Sequence, residues 1–155
     1  MTEPYRFGVK LFFTNQRDRV LAEFIAVFQG WIQRQALAGH LLIDVHDYSH
    51  VYHGPGILLV AHEANLSIDE AEGRRGLAYI RKQPASLPQI IEHAEQAAKL
   101  LSEEQGVQFD ARSIEVFLND RLAMATAEQI AEATGGTVSK KVVDPRERVT
   151  FVVRL

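Results

Sequence analysis

The chain has 155 residues, of which 46% are hydrophobic and 24% charged, with a net charge of −3 and no cysteine. That length suits one domain spanning 1–155, and the balance argues against a disordered chain. Without cysteine there are no disulfides, thiol nucleophiles or cysteine-ligated metal centres, and the slight acidity offers no surface for nucleic acid or an anionic membrane.

The first six residues, Met-Thr-Glu-Pro-Tyr-Arg, lack the basic and apolar stretches of a secretory signal. No apolar run approaches the ~20 residues of a membrane span. The expected setting is cytoplasmic, away from any membrane.

Residues 7–14 (FGVKLFFT) read as a first strand. Asn15 then stands where a helix N-cap would. Val20, Leu21, Phe24, Ile25, Phe28, Trp31 and Ile32 recur at helical spacing and form one apolar stripe, which Gly39 terminates. Trp31 lies on that stripe, so core packing is expected of it rather than ligand stacking.

Residues 41–51 and 57–62 read as two strands of a hairpin, joined by Tyr52-His53-Gly54-Pro55-Gly56. An acidic loop is expected over 67–73, and a further strand over 76–82. Arg74, Arg75, Arg81 and Lys82 flank that strand, as a solvated rim or an anion site. Ser86 and Gln89 have capping-box spacing, with Pro88 in the first turn of a helix that Gly106 closes. His93 falls off that helix's apolar stripe and is expected to be exposed. Residues 113–118 form a strand, a short helix opens at Thr126 and stops at Gly135, and 138–155 close the chain as a second hairpin.

The resulting order is β-α-β-β-β-α-β-α-β-β. Three successive strands break any regular βαβ alternation. The expected class is α+β, a two-layer sandwich whose mixed, mostly antiparallel sheet carries helices mainly on one face. Surplus apolar strand surface is most simply covered by a second copy, so a homodimer is expected.

Two places could carry chemistry. Period-two alternation puts Asp44, His46, Tyr48 and His50 on one strand face. If Val51 pairs with Ile57, His46 comes opposite His62, ~5 Å away. The pair could work as catalytic acid and base, with Asp44 or Glu63 orienting a ring, or could ligate a divalent metal. His62-Glu63 does not open a zinc-protease HExxH motif, because Leu66 occupies the second histidine's position. The other place joins Arg17, after the first strand, to Asn119 and Arg121, after the strand over 113–118. Parallel neighbours would bring these turns together as a ligand-binding edge.

The chain has no Walker-type loop, GxGxxG, GxSxG or aromatic RNA-binding strand motif. The leading expectation is a small binding or assembly module that self-associates through a sheet face or edge and needs no cofactor. The alternative is a small histidine-dependent enzyme using His46 and His62, with a divalent metal in one version.

Overall fold

The computed structural model describes residues 7–51, 54–118, 130–131, 134–140 and 150–154. Its strands are β1 (Phe7–Phe13), β2 (Leu42–Tyr48), β3 (Gly56–Ala61), β4 (Ala64–Asp69), β5 (Gly76–Arg81), β6 (Phe109–Leu118), β7 (Thr137–Lys140) and β8 (Thr150–Arg154). The helices are α1 (Glu23–Arg34) and α2 (Leu87–Gln105), and a 3-10 turn covers Ala71–Gly73. All eight strands form one sheet in the order β2-β3-β4-β5-β1-β6-β8-β7. Every pairing among the described residues is antiparallel. The fold is an α+β sandwich, as expected from the element order.

The central strand β1 shows why two layers form. Its odd residues, Phe7, Val9, Leu11 and Phe13, enter the main core. Direct cross-strand partners share a face. Val9 faces Tyr79 and Leu11 faces Leu77 on one side, while Val116 and Ile114 are their partners on the other. Phe24, Phe28 and Trp31 of α1 and Leu87, Ile90, Ala94, Ala97 and Leu101 of α2 close the same core. Each fully buried Phe or Leu there is worth about 1.5–3 kcal/mol against leaving it in water. Trp31 is 1% exposed and donates its indole N–H to Glu104, which ties α1 to α2. Both helices therefore lie on one side of the sheet.

The even residues of β1 point the other way. Gly8 sits under the ring of Phe117, where an added Cβ would come within 2.1 Å of that ring. Lys10 is buried and ion-pairs with Asp69.

Three local readings need correction. Residues 67–69, expected in an acidic loop, belong to β4. Ala64, Leu66 and Ile68 alternate with Asn65, Ser67 and Asp69, a period-two signal masked by the acids that follow. α1 starts at Glu23 rather than near Asn15, whose side chain instead bonds Gly106 O and the Gln108 N–H. Two pairs expected to be neighbours, β1 with β6 and β7 with β8, do pair, but β1 and β6 run antiparallel. The expected start of the short helix at Thr126 lies outside the described residues, as does the turn between β7 and β8. The helix end at Gly135 is described: this glycine has φ +72 and donates to Ala131 O.

Candidate functional site

The histidine strand forms, but with a different register. Asp44, His46 and Tyr48 face Val60, Leu58 and Gly56 of β3. β2 stops at Tyr48 because the Asp47 carboxylate accepts both the N–H and the hydroxyl of Ser49, while Val51 N–H turns back to Tyr48 O. The connection thus begins earlier than the Gly-Pro-Gly bend suggests. His46 sits opposite Leu58, and His62 lies four residues further along, ~13 Å at ~3.3 Å per residue. His62 opens the tight turn between β3 and β4 and is exposed. The expected facing of His46 and His62 is therefore not formed. Among the described residues, no group of three or more His, Asp or Glu could hold a metal ion.

The other members of that set make local contacts. Asp44 Oδ1 takes the Val45 N–H at 2.8 Å, and its Oδ2 lies 3.6 Å from His46 Nε2. The Glu63 carboxylate accepts the Leu41 N–H at 2.9 Å. Desolvation works to raise Glu63, but the backbone N–H groups of Leu41 and Glu63 and the nearby His40 and His62 outweigh it and hold its carboxyl below the usual range. Tyr48, His50 and Glu70 line an open cleft of about 570 Å³.

Arg17 is exposed on the turn after β1. That turn is fastened to the end of α2: Gln16 bonds Gln105 O, and Arg19 reaches the Gln105 side chain. Because β1 and β6 are antiparallel, the end of β1 at Phe13 meets Phe109, while Leu118 meets Phe7 at the opposite end. The parallel pairing of β1 and β6 on which that ligand-binding edge depended is therefore not formed; Asn119 and Arg121 lie outside the described residues.

A polar cluster that the sequence reading did not assemble lies under the helices. Tyr79 projects from β5 onto the core face and is 1% exposed. Its hydroxyl stands 2.6 Å from His40 Nε2 and 3.1 Å from Arg81 Nη1. His40 Nδ1 lies 3.0 Å from Ala38 O. A carbonyl can only accept, so Nδ1 carries the hydrogen and Nε2 of the neutral ring accepts. Tyr79 therefore donates to His40 and accepts from Arg81, and every proton in the chain points from Arg81 toward Ala38. His93 of α2 packs edge-on against His40, with centroids 4.7 Å apart, and stacks near Tyr79.

Burial sets the charge state of this relay. It lowers His40 from its ordinary value of 6.5, opposed by the Ala38 carbonyl and Glu63 and assisted by His93 and Arg81. Burial also raises Tyr79, against the pull of Arg81. Both groups are neutral at pH 7, which suits a donor–acceptor pair held out of water. His93 Nδ1 is buried without a hydrogen-bond partner.

Two signals in the sequence pointed here. Leu77, Tyr79 and Arg81 alternate on one strand face, and a phenol on a core face needs a partner for its hydroxyl. His93 follows Ile90 by three and precedes Ala97 by four, so it flanks the buried stripe instead of opposing it. Compared with models of protein families, with curated proteins and with solved structures, the chain matches none.

Proposed function

We propose that the chain is an assembly module that pairs with a second copy of itself through the β2 edge. One observation carries this reading. Four of the five exposed large apolar side chains among the described residues lie close together: Ile43 and Tyr48 on the edge strand β2, and Leu41 and Val51 in the segments that flank it. Ile43 and Leu41 are 53% and 56% exposed. Scattered apolar side chains on a surface need no explanation, but a cluster of them along and beside an edge strand supports reading that edge as an association surface.

The rest of the edge favours a defined pair over open-ended aggregation. Asp44 and Asp47 add charge, and the ladder slips between Leu42 and Asp44, leaving Ile43 as an extra residue. Bulges and edge charges are the usual guards against indiscriminate strand addition.

Sedimentation over the micromolar range tests the reading. The expected result is a monomer–dimer equilibrium that Ile43→Lys shifts strongly to monomer with an unchanged circular dichroism spectrum. A wild-type chain that stays monomeric across that range overturns it.

A further inference from the structure

The cleft beside the end of β2 has the size and walls of a small-molecule site. We propose that it binds a small organic amine with a flat apolar body, taking the ammonium on Glu70 and the body against Tyr48. The site belongs to a single chain and stands apart from the pairing at β2: Ile43, on which that reading turns, does not line it.

The volume of about 570 Å³ lies within the range of small-ligand pockets, ~300–1,000 Å³. Leu21, Tyr48 and Val51 form the apolar wall. Tyr48 and Val51 are exposed, so the chain itself leaves this wall uncovered.

The polar wall is Glu70, and a buried arginine holds it from behind. Arg75 is 5% exposed, and a guanidinium taken out of water needs partners. Its Nη1 donates to Gln16 O at 2.7 Å, its Nε donates to Glu70 Oε1 at 2.9 Å, and its Nη2 donates to that same oxygen. Both bonds to the carboxylate thus use Oε1. Oε2 receives neither, and the Glu70 side chain is 45% exposed. Arg75 therefore fixes the place of the carboxylate and leaves its second oxygen to an incoming donor. A group already held in position adds no ordering cost when a ligand arrives.

Charge selects the sign of the ligand. No lysine or arginine lines the cleft among the described residues. Arg74, beside the cleft residue Gly73, instead lies over the Phe12 ring, 3.6 Å from its centroid. Asp47, which accepts the N–H and the hydroxyl of the cleft residue Ser49, adds a second carboxylate nearby. An anion would find no fixed positive charge here, and the His50 imidazole can accept from an ammonium as readily as it can donate. An ammonium gains a charge-assisted bond to Oε2 and the attraction of the Tyr48 ring face.

Nuclear magnetic resonance titration at pH 7 tests the site, with phenethylamine as the probe. Phenylacetate, of nearly the same size and opposite charge, is the control. The amine should bind saturably at millimolar concentration, with amide shifts at residues 48–51 and 70–73, and the acid should bind at least about tenfold more weakly. Glu70→Gln keeps an acceptor for Arg75 but drops the charge, and should weaken the amine about five- to tenfold. Ala71→Phe fills the cleft from an exposed position and should abolish binding with an unchanged dichroism spectrum. Ile43→Lys should bind the amine as the wild type does.

Equal binding of amine and acid overturns the proposal, as does a Glu70→Gln chain that holds the amine undiminished. Titration without saturation, or binding that survives Ala71→Phe, removes the site itself. Loss of binding in Ile43→Lys alone makes the cleft a property of the paired form and overturns the single-chain site.

Discussion

Tyr79 links two polar side chains inside the core. Its hydroxyl is the middle link between Arg81 and His40, at 3.1 and 2.6 Å, and water does not reach it. Tyr79→Phe keeps the ring and its packing but strands His40 Nε2 without a donor. Leaving a buried acceptor unmade costs about 1–3 kcal/mol, so urea unfolding should show a loss of that order with an unchanged m-value. The same relay sets a pH dependence. His40 is lowered in the fold by burial, so the unfolded chain binds this proton more readily. Stability from His40 is full above 6.5 and drains away as pH falls from 6.5 toward the lowered folded value. The carboxyls of Asp47 and Glu63 are lowered instead, so their contributions fade only below their ordinary values of 3.8 and 4.5. Urea midpoints measured from pH 7.5 to 5 should therefore decline first in the histidine range, and His40→Gln should flatten that part of the curve. An unaltered decline in the variant assigns it to another group.

Among the elements, β3 and β4 meet at a glycine where a left-handed backbone and a close carbonyl leave no room for a side chain. Gly56 opens β3 at φ +67, and a Cβ there would come within 2.1 Å of Ile68 O on β4. Gly30, inside α1, has nothing within 4 Å of its would-be Cβ. Glycine-to-alanine exchange should therefore act with opposite signs at the two positions. Gly56→Ala combines a left-handed backbone with a carbonyl clash and should cost about 2 kcal/mol or more. Gly30→Ala should stabilise by about 0.5–1 kcal/mol, since it removes only unfolded-state freedom. Thermal midpoints of the two variants check the contrast. These same elements mark where the sequence was hard to read. The Gly-Pro-Gly bend announces a turn, yet the Asp47–Ser49 bonds end β2 before it, and that early end moves the register by four residues. Four is even, so the face of His46 came out as expected while its partner did not. β4 was hidden for a related reason: its alternation is only six residues long and acidic residues adjoin it.

At the scale of the whole molecule, helices read well and long-range pairing read poorly, for one physical cause. The α2 stripe of Leu87, Ile90, Ala94, Ala97, Ala98 and Leu101 is set within one segment, and it is the buried face observed. The placement of β1 between β5 and β6 is set by segments far apart in the chain, and no local pattern carries it. The polar cluster was missed on the same ground, because His40, Tyr79 and His93 come from three separate segments. What this topology does predict is cooperativity. One core takes side chains from β1 through β6, from β8, from both helices and from Ile130. Removing either helix would open the same apolar layer, so neither half has a core of its own. Unfolding should then be a single transition. Trp31 is the chain's only tryptophan, 1% exposed between the helices, and reports on that layer. Its fluorescence and the far-ultraviolet dichroism, which follows the strands and helices together, should trace one curve in urea. If two copies pair at β2, that curve should also move to higher urea with protein concentration, because pairing draws only on the folded chain. Separate transitions for the two signals would show that the helical layer comes away from the sheet first.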